Sequence, residues 1–211
     1  MAISRRYWLA GMAGGLASIL PAAGLARLLA TPPGPAGPFY PTELPLDDDN
    51  DLTHVAGREG VAKGEITDLT GRLLDTNGDT IPGARIEIWQ CDANGRYHHP
   101  RDSGRSLDPN FQGFGHALTD AQGRYRFRTI RPVPYPGRTP HIHMAVFTPG
   151  DRPFVTQLYI QGEPRNRGDF LFQRIPVEAR ERAMAAFVAE AQGEAAFSAM
   201  FDLVLGVTPN A

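Results

Sequence analysis

Short alternating runs closed by turn residues dominate the chain from Ala62 onward. A run with every second residue apolar buries one face of a strand, because successive side chains point to opposite sides. Arg85-Ile86-Glu87-Ile88-Trp89-Gln90 alternates cleanly, and Gly64-Glu65-Ile66-Thr67-Asp68-Leu69 does so in part. Asp75-Thr76-Asn77-Gly78-Asp79 and Ile81-Pro82-Gly83 lie between them and carry turn chemistry. Ala117-Leu118-Thr119, the turn Asp120-Ala121-Gln122-Gly123 and Tyr125-Arg126-Phe127 predict a second hairpin. His141 to Phe147 and Phe154 to Ile160 predict two further strands. The pattern as a whole predicts a mainly β fold, an antiparallel β-sandwich with irregular loops. The 23 glycines and 19 prolines suit a chain with that many turns. The tail reads differently. From Val177 to Ala191, the residues Ala183, Met184, Phe187, Val188 and Ala191 recur at helical spacing, with Glu178, Arg180, Glu181 and Arg182 near the start. A C-terminal amphipathic helix packed on the sheets is the expectation there.

Three segments follow from this reading. Residues 1–30 open with Ser4-Arg5-Arg6-Tyr7-Trp8-Leu9, paired arginines before an Ala- and Gly-rich apolar run to Leu29 that lacks acidic residues. This resembles a twin-arginine export signal, with Gly24-Leu25-Ala26 as a small-residue cleavage site. A retained inner-membrane anchor and a buried N-terminal helix are the alternatives, the first because the run is nearly long enough to span. Export by that route places the mature protein in the periplasm. Residues 31–61 are expected to form an extended arm. Four of the first eight are prolines, which excludes a regular helix or a central strand. Asp47-Asp48-Asp49-Asn50-Asp51 is a carboxylate cluster of the kind that holds a hard cation such as calcium, but without the full calcium-loop pattern it reads as a solvated loop. Residues 62–211 form the sandwich and its helix. The formal charge of -2 argues against a general nucleic-acid surface. Cys91 is the only cysteine, so no intramolecular disulfide exists, and it reads as a small core residue.

His141-Ile142-His143 is the sharpest local feature. Residues two apart on a strand share a face, so the two imidazoles stand side by side, as ligands of one metal would. A solvated or hydrogen-bonded surface pair has the same spacing. Tyr135 lies six residues upstream, between Pro134 and Pro136, which fix its backbone, and Arg138 follows closely. An amphipathic tyrosine at the core edge is the structural alternative. Further upstream, Trp89-Gln90-Cys91-Asp92-Ala93-Asn94-Gly95-Arg96-Tyr97 reads as a strand ending in a turn that presents Tyr97. Two tyrosines with two histidines suggest ferric iron. A phenol has a pKa of about 10 and binds metal poorly until ionised, and a hard trivalent ion can ionise it at neutral pH. Zinc sites favour Cys, His and carboxylate, and no His-plus-Cys cluster is present.

The ordered motifs Gly37-Pro38-Phe39-Tyr40-Pro41, Trp89 to Tyr97, Leu107-Asp108-Pro109-Asn110-Phe111, Arg128-Thr129-Ile130-Arg131-Pro132 and Pro140-His141-Ile142-His143 resemble the intradiol ring-cleavage dioxygenases. Within that family the likeness runs to the iron-bearing chain of the protocatechuate-cleaving group. It spans Gly37 to Ile160. The resemblance implies one Fe(III) per chain, with Tyr97 and His141 as equatorial ligands and Tyr135 and His143 as axial ones. It implies that Tyr135 gives way to substrate, that Arg138 stabilises negative charge on the substrate, and that Gln157 lines the pocket. For the last two, a surface arginine and a polar strand residue are the plainer readings. The implied reaction is cleavage of a catechol-type ring by dioxygen to a muconate-type diacid, in aromatic compound catabolism, without an organic cofactor. One departure stands out: the segment between Tyr135 and His141 looks shorter than in the protocatechuate enzymes, so the particular catechol does not carry over. A homo-oligomer or a second chain completing the pocket stays open. Two alternatives remain at this stage, a non-enzymatic periplasmic β-sandwich binding module and a copper- or zinc-binding protein.

Overall fold

The computed structural model describes residues 27–44 and 47–206. The expected signal or anchor therefore lies almost wholly outside the described residues. Among those described, no helix is long and apolar enough to cross a membrane.

Among the described residues, ten strands form two sheets of five. In the first, the long β1 (Ile66–Asp75) pairs antiparallel with β4 (Arg124–Ile130) along one edge. Its other edge pairs in parallel first with β9 (Phe197–Met200) and then with β10 (Leu203–Leu205), and β8 (Phe187–Ala189) pairs with β9. The second sheet runs β3 (Phe114–Leu118), β2 (Arg85–Trp89), β5 (His141–Phe147), β6 (Phe154–Ile160), β7 (Met184–Ala185). The core lies between the sheets. Leu69, Leu73, Phe127 and Ile130 from one face meet Ile86, Ile88, Ile142, Met144 and Leu158 from the other, all fully buried. Each such aliphatic side chain contributes about 1.5–3 kcal/mol by leaving water.

Three expectations need correction. The sheets are mixed rather than purely antiparallel, because the C-terminal strands and β7 join in parallel. The turn Asp120 to Gly123 forms, with Gly123 N–H donating to the Asp120 carbonyl at 2.8 Å, but it does not close a hairpin. β3 pairs with β2 and β4 with β1, so this turn carries the chain from one sheet to the other. Tyr125 and Phe127 bury one face of β4 against the core, and seven residues of β1 satisfy its backbone. The C-terminal helix is absent. Val177–Ala183 is a 3-10 segment, and strands β7 and β8 follow. Ala183, Ala185 and Phe187 also alternate, and the free edges of β6 and β9 take up the backbone groups of Met184–Ala185 and Phe187–Ala189. Tertiary pairing overrides the weaker local signal. The one α-helix among the described residues, α1 (Phe170–Arg174), lies elsewhere and is capped by Asp169.

Candidate metal centre

The second sheet buries its even-numbered β5 residues inward, so the odd-numbered ones face outward. Register then aligns Trp89, His143 and Gln157 in one row across three strands, with His141 and Tyr159 in the next. The outward face is not solvated here, since His141, His143, Gln157 and Tyr159 are all buried. Two loops and the arm cover it. After β2, the Asp92 carboxylate accepts from the backbone N–H groups of Asn94 and Arg96, and the Tyr97 N–H is held by Asp102 at 2.8 Å. That turn sets Tyr97 over the histidines, as the sequence predicts. Ahead of β5, Tyr135-Pro136-Gly137-Arg138 closes with Arg138 N–H on the Tyr135 carbonyl at 2.9 Å. Proline second and a glycine at φ 80° third are what a type II turn demands.

The arm is more than a connector. Gly34 N–H bonds to the Val155 carbonyl, and the Thr156 hydroxyl donates to the Pro32 carbonyl. Gln157 Nε2 donates to the Pro35 carbonyl at 2.9 Å. Phe39 stacks on Tyr97 with ring centres 4.7 Å apart. At Gly37, φ is 73° and a Cβ would stand 3.3 Å from His143 Cε1, so only glycine suits this crossing.

Tyr97, Tyr135, His141 and His143 form one cluster. Ring centres are 5.4 Å apart for the two tyrosines, 5.5 Å for Tyr135 and His141, 4.8 Å for the histidines and 6.1 Å for Tyr97 and His143. The Nε2 atoms of His141 and His143 face each other at 3.2 Å. His141 Nδ1 meets the Thr139 carbonyl at 2.7 Å, so its proton belongs there and its Nε2 lone pair points into the cluster. His143 Nδ1 faces the arm near the Pro35 carbonyl, short of a well-formed hydrogen bond. Burial pushes the His141 pKa down to about 3, with the Arg138 charge adding to the effect. His143 is held well below the usual range by burial, His141 and Arg138. Both rings are thus neutral at neutral pH, the form that binds metal. Burial raises the pKa of both phenols, Tyr97 more strongly, while Arg138 opposes the shift at Tyr135. The buried Tyr97 hydroxyl lacks a well-formed hydrogen bond, and its nearest partner is the Tyr135 hydroxyl, which raises its pKa through both charge and a loose hydrogen-bonding contact.

A cation suits this set. Converging lone pairs and an unsatisfied phenol destabilise one another without a positive charge between them. Among the described residues no group of three or more His, Cys, Asp or Glu side chains could hold a metal. The phenols and imidazoles of the ring cluster are the residues that could hold one. The Asp47 to Asp51 cluster is occupied locally: Asp49 and Asp51 accept backbone N–H groups two residues on, and Asp48 meets Arg85 and His116. Cys91 is buried, as expected.

Arg138 borders the cluster. Its Nη1 donates to the Tyr135 hydroxyl at 3.2 Å, its Nη2 to Gln157 Oε1 at 2.6 Å, and its Nε to Asp169 Oδ2 at 2.8 Å. The Tyr159 hydroxyl also donates to Gln157 Oε1 at 2.7 Å. Tyr159 and Asp169 escape the sequence reading. The signal for Asp169 was its position before Phe170-Leu171-Phe172, a helix-capping pattern. For Tyr159 it was the two-residue spacing from Gln157. A cavity of about 590 Å³ lies between the arm, β6 and α1 and reaches Gln157 and Tyr159. A larger one, about 830 Å³, lies beside β1, β3 and β4 and holds none of the ring donors.

The chain is a β-sandwich that gathers two phenols and two neutral imidazoles beside a fixed guanidinium, a donor set that could hold a metal ion. The family model described as Dioxygenase matches residues 36–207, and the chain belongs to the intradiol ring-cleavage dioxygenases. It is 39% identical over 197 residues to the protocatechuate 3,4-dioxygenase beta chain of Burkholderia cepacia, covering 82% of this chain and 83% of that one. It is 34% identical over 155 residues to the hydroxyquinol 1,2-dioxygenase of Corynebacterium glutamicum, covering 64% of this chain but only 48% of that one. Among solved structures, the dioxygenase domain of a dioxygenase and carbohydrate-binding protein fusion from a Streptomyces species superposes with a TM-score of 0.64. The two are 28% identical, over 85% of this chain and 99% of that one. The intradiol ring-cleavage dioxygenase of Tetranychus urticae shares the fold with a TM-score of 0.67 at 21% identity, over 85% and 95% of the two chains. The chain is thus an oxidoreductase, and the reading as a non-enzymatic binding module falls.

Proposed function

We propose that this chain binds one Fe(III) through Tyr97, Tyr135, His141 and His143 and cleaves a catechol-type ring between its two hydroxyl-bearing carbons with dioxygen, giving a muconate-type diacid for aromatic catabolism. The observation that carries the proposal is the convergence of these four rings, three of them buried, with the His141 and His143 Nε2 atoms 3.2 Å apart. When bound, the iron supplies Lewis acidity and a template for a chelating catechol.

The chain's own residues do the rest. His141 and His143 stay neutral and keep their lone pairs available, His141 because the Thr139 carbonyl holds its other nitrogen. Tyr97 is fully buried, stacked under Phe39 and fixed. Tyr135 is half-buried and its hydroxyl already accepts from Arg138. It would be the phenol better able to yield its place to substrate, because the Arg138 hydrogen bond can satisfy its oxygen without a metal. Arg138, with its side chain 7% exposed, presents a fixed positive charge where negative charge develops on the ring. Gln157 ties this guanidinium to the arm. Trp89, stacked on His143 at 4.9 Å, and Phe39 exclude water.

The paired arginines before the apolar run support export to the periplasm by the twin-arginine route, or anchoring at the inner membrane. The description of the Burkholderia relative as a beta chain supports an assembly with further chains, of this kind or another. Purified protein is expected to be reddish, to contain one iron per chain by elemental analysis, and to consume oxygen with at least one of catechol, hydroxyquinol and protocatechuate. Colourless, iron-free protein inert toward all three overturns the proposal.

A further inference from the structure

Asp169 sits 31 residues from Arg138 in sequence, yet its carboxylate, wholly shielded from solvent, meets the guanidinium at 2.8 Å. Its two oxygens divide their work. Oδ1 accepts from the N–H groups of Leu171 at 3.0 Å and Phe172 at 2.8 Å, capping α1. Oδ2 accepts from Arg138 Nε at 2.8 Å and from the Thr139 N–H at 2.9 Å. Thr139 is also the residue whose carbonyl, in the following peptide, holds His141 Nδ1. Its hydroxyl donates to Asn166, which is itself tied to the Ile160 carbonyl. Four donors saturate the carboxylate, so it has a single favourable orientation.

From this we infer that Asp169 is the positioning residue of the site, using Oδ2 to aim Arg138 at Tyr135 and Gln157 and to anchor Thr139, the residue whose carbonyl sets the His141 tautomer. The inference rests on the proposed iron chemistry only for its kinetic consequence. Through Nε, Asp169 restrains the guanidinium on the side away from Tyr135. Nη1 and Nη2 are then left to point at Tyr135 and Gln157. Without that restraint the fork rotates about two remaining bonds, and the charge no longer meets the ring at a fixed angle.

Asp169→Asn separates the two roles. The asparagine oxygen still caps α1, for which asparagine is a good residue. Its amide then sets N–H groups against Arg138 Nε–H and Thr139 N–H, donor against donor. In the iron-loaded variant, kcat is expected to fall about tenfold or more, with KM within about threefold of the parent, because the loss concerns charge developing during reaction. The metal-free full-length protein gives a second readout by proton–nitrogen NMR. The parent should show a slowly exchanging Arg138 Nε–H and a single His141 tautomer protonated at Nδ1, and the variant should lose both. Parent-like kcat, or a loss of activity matched by the unfolded fraction, reduces Asp169 to a helix cap and overturns the inference. So does an Arg138 Nε–H that exchanges freely in the parent, a result available even if the variant fails to fold. Should the parent prove iron-free, the proposed function falls, while the NMR measurement still decides the positioning role.

Discussion

Tyr97 and Tyr135 belong to one cluster but sit in opposite electrostatic settings. The Tyr97 hydroxyl is buried without a good partner, whereas Tyr135 accepts from Arg138. Removing an unsatisfied buried hydroxyl relieves a desolvation cost, while removing a satisfied one forfeits a hydrogen bond. In metal-free protein, Tyr97→Phe is therefore expected to raise stability by about 1 kcal/mol and Tyr135→Phe to lower it by a similar amount. Thermal unfolding should show shifts of opposite sign, roughly 2–4 °C each. With iron present, both should alter the visible band. Shifts of the same sign in the metal-free pair would contradict the description of Tyr97. At this scale the sequence was informative about the rings and poor about what fixes them. The His-x-His spacing states that two imidazoles share a face, because side-chain parity is local. Nothing local states that β6 pairs in the register that sets Gln157 opposite His143, or that Asp169 folds back onto Arg138.

At the scale of elements, alternation served well where a strand has one buried face. β2, β5 and β6 lie where their patterns predict. It failed where apolar residues satisfy two periods at once, as from Ala183 to Phe187, since only the waiting edges of β6 and β9 decide between helix and strand. The turn at Asp120 was legible, but the destination of the strands it joins was not, because pairing partners are chosen by distant chain. The part of the arm in the site was hidden, since proline content says what a segment cannot be and not what it touches. Phe39 gives that part a test. Phe39→Ala removes the stack on Tyr97 and opens one wall. The variant should fold, bind iron about tenfold more weakly, and release it faster to a chelator. Iron release at the parent rate would show that the arm is a passive cover.

Acid unfolding is a property of the whole molecule to which one buried carboxylate contributes. Burial pushes the Asp169 pKa up, but the Phe172 and Thr139 N–H groups and Arg138 outweigh it, and the net shift is downward. A carboxylate with a depressed folded pKa stabilises the fold above its unfolded value of about 3.9 and loses that contribution as pH falls through the folded value. The stability gap between the parent and Asp169→Asn should therefore stay level above about pH 5 and narrow below about pH 4. Denaturant titrations at several pH values measure it, and a gap unchanged down to strongly acid pH would refute the assignment of charge to Asp169.

The arm has one more consequence, and it concerns time. It leaves the ribosome before any described strand, but it is held by later-made chain: Pro32 by Thr156, Pro35 by Gln157, and Thr31 by Val204. A chain still in synthesis carries Tyr97, Tyr135 and the two histidines with no lid over them. Closure over the rings thus waits for β6 and for chain as late as Val204, and a molecule frayed there is an open one.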